Sequence, residues 1–219
     1  MRNAGDFDFD RLRAQMVERQ IRARGVSSPR VLEAMGQVRR ELYVPARLRA
    51  SAYDDSALSI ERGQTISQPY IVAYMLAALG LRGEERVLEV GTGSGYAAAV
   101  LSLLAREVFT IERHAKLVRT AAVRLVADGR SNVQVRHGDG TLGWPEQAPF
   151  DAIVVAAAAV RVPEALRTRL AIGGRLLIPV GPQGSQKLVR ITKTAADRCT
   201  EERLTEVRFV PLIGAERRA

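Results

Sequence analysis

Hydrophobic positions change their period along this chain. In DFDRLRAQMVERQIRARG (residues 8–25), Leu12, Met16, Val17 and Ile21 fall on one helix face, and Gly25 supplies a stop. SSPRVLEAMGQV (27–38) predicts a second helix, with a serine cap and Pro29 in the first turn, where proline is tolerated. Residues 42–53 predict a loop punctuated by Pro45, and this first third carries no strand signal. From Arg86 the pattern alternates. Short aliphatic runs at 86–90, 108–112, 133–139, 152–158 and 175–180 are separated by helix-length segments at 95–105, 114–129 and 162–174. A β-α alternation of this kind predicts a mostly parallel sheet with helices on both faces. KLVRITKT (187–194) and EERLTEVRFVPLIG (201–214) predict two further strands, antiparallel at the sheet edge.

The expected organisation is one domain over 1–219, with a helical cap at 1–60 and a Rossmann-like core at 61–219. A chain of 219 residues with 47% hydrophobic content suits a single continuous core. One cysteine, Cys199, excludes an internal disulfide and a cysteine-rich metal site, so no metal is expected. The acidic start of the chain lacks a signal-peptide core, and residues 152–160 are too short an apolar run to span a bilayer. The expectation is a cytoplasmic chain without membrane association. A formal charge of +9 raises nucleic acid as a partner, but the arginines alternate with glutamates and aromatics make up only 5%.

LEVGTGSGY (88–96) places Gly91, Gly93 and Gly95 between a strand and a helix, where glycine permits a tight turn and close approach to a ligand. A dinucleotide fingerprint would continue with glycine at 96, and this chain has Tyr96. Glu89 stands just ahead of the loop. A carboxylate there suits the amino-acid end and sulfonium of S-adenosylmethionine better than a pyrophosphate. Glu112 follows Gly91 by 21 residues at the end of the second strand, the position of a ribose ligand, and Arg113 is placed beside it. Asp139 and Gly140 end the third strand as an adenine site, the aspartate accepting from the amino group. His137, just before them, is expected to be packed or satisfied rather than catalytic.

RGQTISQPYIVAYM (62–75), with LEVGTGSGY, GDGTLGWPEQAPFDAIVVAAA (138–158) and GGRLLIPVG (173–181), resembles the protein-L-isoaspartate (D-aspartate) O-methyltransferase family over nearly the whole chain. The resemblance implies a class I methyltransferase fold with S-adenosylmethionine as donor. It implies methylation of the free carboxylate of L-isoaspartyl residues in age-damaged proteins and peptides, with repair through a succinimide. It places Ser67 as the active-site serine and Gln64, Thr65 and Ile66 on the loop covering the donor methyl. It assigns Ala157, Ala158 and Ala159 to a groove whose backbone pairs with an extended peptide. Monomeric action is expected. Two positions depart from the family: Val160 replaces a common proline, and Ile213 stands where some members carry a donor-contacting threonine. Methylation of another carboxylate or of nucleic acid, and donor binding without catalysis, remain the alternative readings.

Overall fold

The structure is a computed structural model that describes residues 8–215. The first predicted helix is broken into three windings. α1 (Phe9–Gln15) starts where the Asp8 side chain accepts from the Arg11 amide at 2.9 Å. A π-helical turn (Met16–Ile21) and a 3₁₀ turn (Arg22–Arg24) follow, ending at Gly25 with φ 93°. The wider winding places Met16 and Ile21, five residues apart, on one buried face. α2 (Pro29–Gln37) forms as expected, although the Ser28 side chain makes no capping bond. The predicted loop at 42–53 is partly wound into 3₁₀ turns on either side of Pro45.

A hairpin that the sequence pattern missed spans the boundary between cap and core. β1 (Leu58–Ser59) and β2 (Thr65–Ile66) form a two-residue antiparallel hairpin. It is too short for any period to register. An unforeseen helix, α3 (Pro69–Leu79), follows directly, with Pro69 in its first turn.

The sheet is built from β3 (Arg86–Val90), β4 (Glu107–Glu112), β5 (Val133–His137), β6 (Phe150–Val155), β7 (Leu170–Val180), β8 (Gln186–Ala195) and β9 (Arg198–Val207). Their order is β5-β4-β3-β6-β7-β8-β9. The first five run parallel, and β8 and β9 close the edge antiparallel, as predicted. Neighbouring residues on a strand serve opposite faces. Val87 and Val108 join the core beneath the cap, α3, α4 (Tyr96–Leu101) and α5 (Ala115–Ala127). Leu88 and Phe109 face the other way, where α6 (Glu164–Thr168) packs and Phe109 meets Phe150 and Trp144 edge-on.

Several predicted boundaries shift: the runs 133–139 and 152–158 end at His137 and Val155, and the helix at 95–105 ends at Leu101. The segment 162–174 is helical only through Thr168, because Leu170 already pairs with Phe150. Pairing then slips, resuming at Ala152 and Arg175 around a bulge that contains Gly173 and Gly174. β9 ends at Val207, so residues 208–215 are not strand but cross over the carboxyl ends of the sheet. Pro211 has no amide to donate to a ladder. A Cβ at Gly174 would lie 2.8 Å from the Ala171 carbonyl oxygen and 3.1 Å from those of Asp151 and Phe150. Backbone atoms cannot swing aside, so Gly174→Ala is expected to destabilise by about 1–3 kcal/mol. A urea-unfolding midpoint equal to that of the parent would refute this packing of the bulge.

Candidate active site

The chain winds from β3 to β4 to β5 on one side, then returns to place β6 on the other side of β3. Such a switch in winding direction opens a crevice at the carboxyl ends of the strands. The glycine loop lies in it. Gly91 (φ 98°) donates its amide to the Ile111 carbonyl at 2.8 Å, and Gly93 has φ 53°. A Cβ on Gly91 would meet that of Ala156 at 3.4 Å. The loop borders a cavity of about 330 Å³, walled also by the ends of β4 and β6, by residues 63–67 and by 210–213. That volume lies in the range of small-molecule sites.

Glu89, Gly91, Gly93, Glu112, Arg113, Gly140 and Ala157 line this cavity with Gln64, Thr65, Ile66 and Ser67. Gly95 does not line it. It caps α4 with φ 91° and faces Ala121 and Leu125 of α5, so it serves helix packing. Asp139 also stands outside the lining. Its Oδ1 accepts from the amide and hydroxyl of Thr141, and Oδ2 accepts from the Ala215 amide at 2.7 Å. The adenine role expected for Asp139 therefore meets a carboxylate already engaged by its own turn and by the tail.

Two carboxyl groups, Glu89 and Glu112, line the cavity. Glu112 accepts from the Gly93 amide at 3.0 Å and the His114 amide at 2.9 Å, which ties the glycine loop to the end of β4. Each carboxylate oxygen keeps a further lone pair for a ligand hydroxyl. Glu89 is 1% exposed. Burial pushes its carboxyl up to about 8; the Thr110 hydroxyl, donating at 2.5 Å, opposes the shift, and the charge of Glu112 adds to it. Glu89 is thus protonated at neutral pH, and a cationic ligand end beside it would favour the ionised form.

Ser67 and Thr65 also line a second cavity of about 580 Å³, reached between Tyr70, Asp55 and the ends of β8 and β9. Here Gln68 donates to the Asp55 side chain at 2.8 Å, and the Arg24 guanidinium sits 3.6 Å above the Tyr70 ring. Among the described residues, Thr65 and Ser67 form the wall common to the two cavities.

The tail supplies a wall that no local pattern announced. Ala158 donates to the Val210 carbonyl at 2.8 Å and accepts from the Leu212 amide at 2.7 Å. Ala159 donates to Pro179 and accepts from Gly181. Backbone pairing of a peptide at Ala158 and Ala159 is accordingly pre-empted, and both residues line a third, smaller cavity behind the tail. Gln186 fixes this crossing by accepting from the Phe209 amide and donating to its carbonyl. Ile213 lines the donor cavity, and Val160 is exposed. His137 is exposed too, its Nε2 3.0 Å from the Arg113 carbonyl oxygen, satisfied but not packed.

Among the described residues, no cluster of three or more histidine, cysteine, aspartate or glutamate side chains could hold a metal. Likewise, no helix among them is long and apolar enough to cross a membrane.

The pattern of the protein-L-isoaspartate(D-aspartate) O-methyltransferase family matches residues 11–217. A Protein-L-isoaspartate O-methyltransferase 1 of Rhodopseudomonas palustris is 60% identical over 95% of this chain and 85% of its own length. The Methylorubrum populi Protein-L-isoaspartate O-methyltransferase is 55% identical over 93% and 96% respectively. A Plasmodium falciparum crystal structure, assigned as a protein-L-isoaspartate O-methyltransferase in complex with S-adenosyl-L-homocysteine, superimposes with a TM-score of 0.81. It is 29% identical over 92% of this chain and 98% of its own.

The raised Glu89 carboxyl sets a pH dependence. Below its value of about 8 the free protein must release a proton before the carboxylate can face a cation. S-adenosylmethionine affinity is therefore expected to rise with pH, by at most about tenfold per unit, and to level off above that value. Calorimetric titrations from about pH 6 to about pH 9 would show the slope in the parent and lose it in Glu89→Gln. The same slope in both proteins would remove Glu89 from the donor end.

Proposed function

Because this chain belongs to the protein-L-isoaspartate (D-aspartate) O-methyltransferase family, we propose that Ser67, Glu89 and Glu112 divide the handling of acceptor and donor between the two adjoining cavities. The activity is transfer of a methyl group from S-adenosylmethionine to the free carboxylate of L-isoaspartyl residues in damaged proteins. The ester then closes to a succinimide, which hydrolyses partly to aspartate. The position of Ser67 in the wall of both cavities carries the assignment of roles.

S-adenosylmethionine supplies an electrophilic methyl group on a sulfonium. The acceptor carboxylate has a pKa of ~4 and is already an anion at neutral pH, so the chain needs no general base. What its residues contribute is alignment and the exclusion of water, which can supply ~7–11 kcal/mol. Glu112 takes the ribose hydroxyls with its remaining lone pairs, Arg113 flanks them, and Glu89 faces the amino-acid end. Gly140 gives the adenine a flat wall, and Asp139 holds the tail that encloses it. Gln64, Thr65 and Ile66 close the loop over the methyl group. The Ser67 hydroxyl donates to the acceptor carboxylate and orients it. The peptide runs through the second cavity, with Ala157 on the donor-cavity side of the junction.

Cap and core act as one methyltransferase domain, a reading supported by a shared hydrophobic cluster that runs from Met16 to Val207. We read the chain as a cytoplasmic monomer with protein, not nucleic acid, as its partner. Many of its arginines are already paired, as in Arg22–Glu18, Arg136–Glu146 and Arg190–Glu202.

An isoaspartyl peptide and its aspartyl twin, each incubated with labelled S-adenosylmethionine, test the assignment. Label is expected on the isoaspartyl form alone; label on RNA alone, or donor binding without turnover, would overturn it. Ser67→Ala is expected to lower kcat by ~10²-fold while donor affinity changes little. A loss of donor affinity as large as the loss of kcat would refute the orienting role. Glu112→Ala is expected to do the reverse, weakening donor binding first, and unchanged donor affinity would remove it from the ribose.

A further inference from the structure

Arg40 is a buried charged residue that the proposed chemistry does not use. Its side chain is 0% exposed, between the cap and the core. No ion pair to it is found among the described residues, and the neighbouring Glu41 is taken up by the Tyr53 hydroxyl. Burial pushes its guanidinium below the ordinary arginine range. Nη1 is buried without a hydrogen-bond partner. A buried cation in this condition is expensive.

What Arg40 does hold is backbone. Nε donates to the Ala52 carbonyl at 2.7 Å, and Nη2 donates to the Ser67 carbonyl at 2.9 Å. The guanidinium carbon stands 4.8 Å from the centre of the Tyr96 ring. Tyr96 opens α4 directly after the glycine loop and lines the donor cavity. One rigid fork therefore touches the cap, the loop carrying Ser67 and the helix that follows the donor loop. Gln68 ties the far side of the Ser67 loop to Asp55. Between buried Ile66 and the start of α3 at Pro69, the Ser67 carbonyl takes no bond from a strand or helix. The guanidinium presents its donors in a fixed plane, so two carbonyls gripped together are set in position and direction.

We propose that Arg40 is a positioning residue for methyl transfer: its buried guanidinium clamps the Ser67 carbonyl against the cap and so fixes the Ser67 hydroxyl at the junction of the two cavities. The inference rests on the acceptor role of Ser67 given above. Its sequence signal was faint, a cation set among Val38, Leu42, Tyr43 and Val44.

The test compares Arg40→Met, Arg40→Lys and Ser67→Ala, singly and combined, using the full chain. Thermal midpoint, S-adenosylmethionine affinity, and kcat and KM for an isoaspartyl peptide are measured for each. Arg40→Met strips the donor from two carbonyls, so a modest fall in thermal midpoint is expected. Donor affinity is expected to stay within about threefold while kcat/KM falls ~10²-fold, the cost of an ångström-scale misplacement. Arg40→Lys, which can reach one carbonyl but not both in a fixed plane, is expected to recover part of that loss. Adding Arg40→Met to Ser67→Ala should cost much less than it does in the parent, since both changes disturb one hydroxyl.

A folded Arg40→Met with parental kcat/KM overturns the proposal. So does a fall in activity matched by equal falls in donor affinity and thermal midpoint, or full additivity with Ser67→Ala. If Arg40→Met does not fold, Arg40→Lys decides, and parental activity in it counts against the clamp; if neither folds, Arg40 serves stability and the proposal fails. The acceptor reading fails separately, when Ser67→Ala itself leaves kcat unchanged.

Discussion

The Glu112 carboxylate, held by the amides of Gly93 and His114, is the interaction on which the rest of this site depends. Parallel strands leave their carboxyl ends open where the winding reverses, but an open crevice has no fixed shape. Here the glycine loop is tied at one point to the Ile111 carbonyl and at another to the Glu112 side chain. The spacing of β3 and β4 thereby becomes the spacing of the donor cavity. Glu89 is 1% exposed beneath this loop, and its burial rather than a charged neighbour is the main cause of its raised carboxyl. Gly95 serves the same end indirectly, letting α4 sit close against α5.

The sheet supplies only part of the cavity. Its remaining walls arrive from outside the β-α alternation: the hairpin loop before α3 on one side, and the tail crossing from Phe209 onward on the other. Both are held by side chains that substitute for a strand. Gln186 brackets Phe209 with a donor and an acceptor, as a neighbouring strand would. Arg40 takes the Ser67 carbonyl with a donor drawn from the cap. The helical cap is in this sense part of the site, because it supplies a wall of the second cavity through Arg24 and Asp55 and the grip on Ser67.

What could be read from the sequence follows from the range of each interaction. The five parallel strands, the glycine loop and Glu112 were legible because strand period, turn chemistry and loop spacing are local. The antiparallel edge was legible for the same reason. The π-helical turn was not, because Met16 and Ile21 are aligned by the core they enter and not by their own spacing alone. The end of α6 was missed because pairing of Leu170 with Phe150 overrides the helical look of 162–174. Asp139, Ala158 and Ala159 lie beyond the ends of β5 and β6, and their polar groups are taken by Thr141, Ala215, Val210, Leu212, Pro179 and Gly181. Residues distant in sequence compete for the same hydrogen bonds, and no motif reports that competition. The acceptor, by contrast, came from resemblance around QTISQP, and the geometry adds the junction of two cavities at Thr65 and Ser67.

The central claim is that donor and acceptor meet at that junction. A crystal structure of the full chain with S-adenosylhomocysteine and an isoaspartyl peptide tests it most directly. The isoaspartyl carboxylate is expected within hydrogen-bonding distance of the Ser67 hydroxyl, with the peptide leaving through the cavity beside Tyr70. A peptide bound instead behind the tail, in the cavity beside Ala158 and Ala159 with its carboxylate away from Ser67, would contradict it.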